Sequence, residues 1–249
     1  MKVTLIDYTG AGSLDEHYAA RLLVYTKNTR LEQGEETRAK VQAMSYDKLR
    51  EELDYISKTI RSSWEFVDYT FEIKDVTRAF THQLVRTRTA SYAQQAQRVV
   101  DMSSFETLVP QTVKDAGLEE YWKGHMNSVA HAYKMLQERG IPNQDCRGVL
   151  PTNVYTNIIT KMNLRTFADL VGKRENLRAQ GEYADVVRAM KVLVIDKHPW
   201  TKPFLNPERT QTPHLDDLLA ASLGASSPID KPTLNAALKE LDALKGTWG

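Results

Sequence analysis

One cysteine, Cys146, is all the thiol chemistry in this chain of 249 residues. Its isolation excludes an intramolecular disulfide and any metal held by a cysteine cluster. Long apolar runs are missing as well. No stretch of about 18 apolar residues is available to cross a bilayer, and the opening MKVTLIDYTG is too short and too polar for a signal peptide. The expected location is the cytoplasm. An excess of one charge is also absent: 33 basic and 32 acidic side chains leave a formal +1. No whole-protein field therefore holds a nucleic-acid polymer, and any anion site must be local. The chain has no G-x-G-x-x-G and no phosphate loop of the Walker kind, so an ordinary dinucleotide domain is not indicated. His17, His125 and His198 lack metal-ligand spacing, and no metal is expected.

What is present fits a globular chain of 41% hydrophobic residues, long enough for one large domain with an appendage. Residues 2–7 alternate with β-branched side chains and read as a strand. Residues 13–23 read as a helix capped by Ser13, residues 27–40 as a loop or frayed helix, and residues 45–60 as a helix with a cap-like start. Bulky β-favouring residues over 64–76 indicate a strand with one irregularity, followed by a helix that starts at Asp75 or Thr77 and ends near Arg86. The clearest long helix covers 118–139, closed by Gly140 and Pro142. Residues 153–162 fit either a strand or a buried helix, which pattern alone does not separate. Helical patterns follow over 166–177 and 183–194. His198-Pro-Trp reads as a loop and packing corner, and two amphipathic pieces occupy 215–223 and 233–244. The class is α+β, mostly helical, with a mixed sheet packed against long helices. The division expected is a domain over 1–205 and a helical extension over 206–249.

The informative window is 77–100. It holds Arg78, Arg86, Arg88 and Arg98 and no Asp or Glu. With 32 acids in 249 residues, about three would be expected there. Guanidinium groups without local acid partners are free to meet an external anion, and the planar fork of arginine engages two phosphate oxygens at once. Gln83, Gln94, Gln95 and Gln97 add neutral donors and acceptors suited to a base edge. The bland alternative is a solvated basic strip.

Order separates the two readings. Arg86-Thr-Arg-Thr-Ala-Ser-Tyr-Ala-Gln-Gln-Ala-Gln-Arg98 resembles the signature R-H-R-x-x-S-x-N-E-x-S-x-R-Y of the flavin-dependent thymidylate synthases, with Arg86, Arg88, Ser91 and Arg98 in register. Trp64-Glu65 and the β-rich stretch after it are similar to the family's strand before its signature helix. Arg147-Gly-Val-Leu-Pro-Thr-Asn is similar to its arginine segment leading into L-P-x-N. Asn163-Leu-Arg165 and Arg174 follow at the family's spacing. Together these segments cover roughly 64–200.

The resemblance implies the family's fold and chemistry: transfer of a one-carbon unit from methylenetetrahydrofolate, through reduced FAD with NADPH as reductant, to C5 of dUMP, giving dTMP. It implies no cysteine nucleophile. It places Arg174 at the pyrimidine as the catalytic group, where it stabilises negative charge on N3 and O2. The phosphate clamp maps onto Arg98 and Arg147 and the nucleotide-contacting glutamine onto Gln83. Arg86, Gln94, Gln95, Ala96 and Gln97 complete the nucleotide set. Flavin contacts map onto Ser62, Arg86, Thr87, Arg88, Gln94, Asn163, Arg165 and Asp169. A homotetramer with sites shared between subunits is implied as well.

This chain departs from the pattern at several positions. Thr87 stands for histidine, Ala93 for asparagine, Gln94 for glutamate, Ala96 for serine and Val99 for tyrosine; Arg178 replaces a histidine and Asp169 an asparagine. Gln94 still forms hydrogen bonds but cannot act as a base. Two other readings follow from these changes. One is a related enzyme alkylating or hydroxymethylating another pyrimidine deoxynucleotide such as dCMP; the other is a non-catalytic nucleotide-binding protein.

Overall fold

The strand at the centre of the protein shows how its side chains are sorted. In the computed structural model, which describes residues 1–29, 34–174 and 181–206, four strands form one sheet. They are β1 (Lys2–Tyr8), β2 (Asp68–Thr77), β3 (Ser91–Gln94) and β4 (Tyr155–Asn163), in the order β1-β2-β4-β3. Along β2, Tyr69, Phe71 and Ile73 enter the core and alternate with Thr70, Glu72 and Lys74 on the other face. At Asp75 φ is 55° and the pairing with β4 slips between Ile73 and Val76. The Asp75 N–H donates to Asn157 Oδ1 at 3.1 Å. The irregularity expected from the sequence, between Phe66 and Tyr69, marks instead the start of β2; the β-bulge at Asp75 is an additional one, and its extra residue returns Val76 to the buried side.

The open alternative at 153–162 resolves as a strand. Thr156, Ile158, Thr160 and Met162 of β4 are buried at a period of two. Every pairing in the sheet is antiparallel, where a mixed sheet was expected. The reason lies in the strand order: β2 and β3 run in the same direction, but β4 lies between them and pairs antiparallel with both.

The helices are α1 (Tyr18–Asn28), α2 (Glu35–Gln42), α3 (Tyr46–Thr59), α4 (Arg78–Leu84), α5 (Gln111–Asp115), α6 (Glu119–Glu138), α7 (Asn143–Cys146), α8 (Leu164–Arg174), α9 (Gly181–Lys197) and α10 (Lys202–Leu205). Ser45 caps α3 as expected, its Oγ accepting from the Lys48 N–H. Ser13 does not cap α1. Its hydroxyl accepts from the Asp15 N–H and the Asp15 carboxylate accepts from the His17 N–H, so both side chains close a turn before the helix. α2 forms within the segment read as a loop or frayed helix.

Trp64 and Phe66 were expected in the strand and lie instead in a 3-10 turn, Arg61–Phe66. Large rings favour a strand and a buried corner alike. Here the Trp64 indole N–H donates to the Ile56 carbonyl at the end of α3, which fixes the corner. Pro199-Trp200 is the packing corner expected: His198 stacks on Trp200 at 5.4 Å, and Trp200 meets Phe204 edge-on.

The core lies on the face of the sheet that carries Tyr69, Phe71 and Ile158, with Leu23, Leu53, Phe167, Val187 and Met190 brought in by α1, α3, α8 and α9. Each such side chain contributes about 1.5–3 kcal/mol on burial. Residues Met1–Leu205 form one compact unit. The pieces expected at 215–223 and 233–244, and Arg178, lie outside the described residues.

Candidate functional site

Two strand-to-helix junctions position the site. β2 passes into α4 at Thr77, whose Oγ1 accepts from the Phe80 N–H at 3.0 Å and caps the helix. β4 passes into α8 at Asn163, whose Oδ1 accepts from the Thr166 N–H at 2.9 Å. The ends of α4 and α8 border a common cavity of about 270 Å³ lined by Gln83, Arg86, Thr87, Arg88, Thr89, Thr166, Asp169, Leu170, Lys173 and Arg174.

The rim after α4 is a series of tight turns. The N–H groups of Arg86 and Thr87 donate to the carbonyls of Gln83 and Leu84, and Ala90 N–H to Thr87. From β3, the Tyr92 hydroxyl reaches the Leu84 and Thr87 carbonyls at 2.8 and 2.9 Å. Burial pushes the Tyr92 pKa up to about 12, so this hydroxyl stays protonated and donates. Thr166 Oγ1 donates to Thr89 Oγ1 at 3.0 Å and ties the rim to α8. The turn carrying Arg86, Thr87 and Arg88 is thus held from two sides while the two guanidinium groups face water.

Charge in the cavity is largely uncompensated. Among the described residues, Arg86, Arg88 and Arg174 make no ion pair with a carboxylate, and Asp169, the one acid in the lining, is paired with Arg61. Arg174 lies over the ring of Tyr183 at 4.7 Å. This is a cation–π contact on one face of the guanidinium.

The remaining expected residues form two neighbouring groups. In the first, Gln94 turns inward, its amide donating to Thr81 Oγ1 at 2.8 Å, while Gln95 receives Arg78 on its carbonyl at 3.1 Å. Arg78 faces Arg147, and burial followed by that like charge lowers its pKa. The Nε of Arg78 and the amide nitrogen of Gln97 are buried without a protein partner. Ala96 and Arg98 are exposed on the turn after β3. Arg98 and Arg147 likewise have no carboxylate partner among the described residues. In the second group, Ser62 sits in the 3-10 turn beside Arg61, and Arg165 pairs with Glu65 of that turn at 2.6 Å.

Sequence reasoning therefore finds the residues that the cavity brings together: Gln83, Arg86, Thr87, Arg88, Asp169 and Arg174. Ser62, Gln94, Gln95, Ala96, Gln97, Arg98, Arg147, Asn163 and Arg165 are not in that lining. Tyr183, beneath Arg174, and Glu182, bonded to Thr77, carry no motif signal in the sequence. Arg78 had a visible signal, its place in the acid-free window, and was not included among the site residues.

Comparison with known proteins gives a consistent set. Residues 4–200 match the family described as thymidylate synthase complementing protein. A protein of Pyrococcus furiosus is 41% identical over 131 residues, covering 51% of this chain and 54% of that protein. One of Sulfolobus acidocaldarius is 30% identical over 209 residues, 83% of this chain and 77% of the relative. One of Geobacter sulfurreducens is 33% identical over 195 residues, 77% and 79% respectively. All three are named flavin-dependent thymidylate synthase.

Proposed function

The chain belongs to the thymidylate synthase complementing protein family, and from that premise we propose that it converts dUMP to dTMP as a flavin-dependent methyltransferase. The observation that carries the reading is the cavity itself: Gln83, two arginines of the signature and Arg174 converge there without carboxylate partners for the arginines among the described residues.

The donor set fits a flavin next to a nucleotide. Uncompensated guanidinium groups match phosphate and an electron-rich ring, and Gln83 offers an amide for a base edge. Ser62, Arg86, Thr87, Arg88, Gln94, Asn163, Arg165 and Asp169 are the residues proposed to hold FAD. When bound, the reduced flavin supplies the chemistry of one-carbon transfer, with NADPH and methylenetetrahydrofolate as co-substrates.

The chain's own groups place charge and orient the substrate. Arg174, facing the pyrimidine, stabilises negative charge on N3 and O2 as C5 reacts. Arg98 and Arg147 hold the 5′-phosphate through charge-assisted hydrogen bonds. Gln94 is spent on Thr81 and serves as a brace rather than a base. Thr87 brings no titrating ring to the rim, so in this account the lining works by fixed charge more than by proton transfer.

A cavity of about 270 Å³ lies below the roughly 300–1,000 Å³ of sites that enclose a whole ligand. The phosphate-clamp residues Arg98 and Arg147 are not in its lining. Both points support a homotetramer in which another subunit completes each site. A cytoplasmic location is proposed with it; no helix among the described residues is long and apolar enough to cross a membrane.

The test is product identification. Flavin-loaded protein is incubated with methylenetetrahydrofolate, NADPH and either dUMP or dCMP. Formation of dTMP from dUMP is the expected result. A product from dCMP alone, or no product from a protein that binds flavin and dUMP, would overturn the assignment.

A further inference from the structure

The first turn of α9 carries a residue for which neither the motif nor the cavity lining accounts. Tyr183 is 1% exposed, yet its hydroxyl has no hydrogen-bond partner. Its ring meets Phe80 of α4 edge-on at 5.0 Å and 88°, and its face carries the Arg174 guanidinium at 4.7 Å. Glu182, the preceding residue, accepts from both the N–H and the hydroxyl of Thr77, at 2.8 and 2.5 Å. The ring is therefore fixed on one edge by α4 and along its backbone by the cap of α4. Burial raises the Tyr183 pKa, the nearby Arg174 charge opposing it, and the phenol stays neutral.

We propose that Tyr183 is the positioning residue for Arg174, a buried aromatic platform that sets the guanidinium plane against the pyrimidine. An arginine has several rotatable bonds, and a free one samples many directions. Packing on a buried ring held edge-on by Phe80 selects one of them before the nucleotide arrives. The edge contact with Phe80 of α4 holds the platform itself in place. The inference rests on Arg174 being the pyrimidine-facing group.

The experiment separates these two claims. Binding of dUMP to flavin-loaded protein is measured by calorimetry, together with kcat and KM, for wild type, Tyr183→Phe, Tyr183→Leu, Arg174→Ala and Tyr183→Leu/Arg174→Ala. Tyr183→Phe keeps the ring and should lie within about twofold of wild type. Tyr183→Leu should weaken dUMP by about tenfold, in the range of a desolvated cation–π contact. The double variant should match Arg174→Ala alone, because the platform acts only through that arginine. Additive losses, or a Tyr183→Leu affinity equal to wild type, would overturn the proposal. If Arg174→Ala leaves affinity and turnover unchanged, it is the underlying assignment of Arg174 that fails. Should Tyr183→Leu not fold, Tyr183→Met fills the same space with an apolar chain and the same comparisons decide.

Discussion

Replacing Glu182 with alanine removes the fastening between the start of α9 and the start of α4. The carboxylate accepts two hydrogen bonds from Thr77, one from the backbone and one from the hydroxyl. Thr77 is only 2% exposed, so water replaces the lost acceptor poorly. A hydrogen bond to a charged group contributes about 1.5–3 kcal/mol, and a buried donor left unpaired costs about 1–3 kcal/mol. The two contacts share one acceptor group, so the full sum is not expected, and a loss of about 2–4 kcal/mol follows. At about 2–4 °C per kcal/mol for a domain of this size, the melting temperature should fall by roughly 5–15 °C. Thermal unfolding followed by circular dichroism, with urea titrations beside it, measures the change. The urea slope should stay constant, since the surface exposed on unfolding is the same. Glu182→Gln keeps one good acceptor and should fall between. A Glu182→Ala protein melting within about 1–2 °C of wild type would refute the claim that this carboxylate holds the two helices together.

Two further outcomes follow, the first from the proposed phosphate clamp and the second from the packing of His198. Arg98→Ala should weaken dUMP binding by about 1.5–3 kcal/mol, as for loss of a charged hydrogen bond; equal affinity by calorimetry would remove Arg98 from the phosphate clamp. His198 is buried against Tyr69, whose hydroxyl lies 3.0 Å from Nδ1, and burial lowers the His198 pKa to about 4. Because the folded value lies below the unfolded one of about 6.5, the unfolded chain takes up the proton first. Stability attached to this group is therefore complete above about pH 6.5 and is lost as pH falls toward 4, by about 3 kcal/mol. Urea midpoints across that range should fall less in His198→Gln than in wild type, and parallel curves would contradict the assignment.

Much of the site was legible because its chemistry is written in local order. Arg86, Thr87 and Arg88 fall on one turn after a short capped helix, and Arg174 closes another helix; the ordered resemblance to the family's segments pointed to them. The bulge at Asp75 was not legible, because the bulky residues of β2 alternate without a break from Tyr69 to Ile73. What sequence did not show are features made by contacts between distant residues. Tyr183 reads as an ordinary core aromatic at the head of a helix; its role exists only because Arg174 and Phe80 meet the same ring. β3 was missed because an edge strand of four residues, Ser91–Gln94, has polar side chains on the half-exposed face and no apolar alternation to betray it. The corner at Trp64 misled in the other direction, since its large rings satisfy a strand pattern as well as a 3-10 turn. The antiparallel arrangement was likewise not readable, because a list of strands carries no pairing.

The central claim, that separated guanidinium groups are gathered around a pyrimidine nucleotide and a flavin, is tested most directly at Arg174. Turnover of dUMP to dTMP by flavin-loaded protein is compared between wild type and Arg174→Ala, with the oligomeric state of both measured by light scattering. The expected result is the same oligomeric state for both and no measurable dTMP from the variant. An undiminished rate would contradict it.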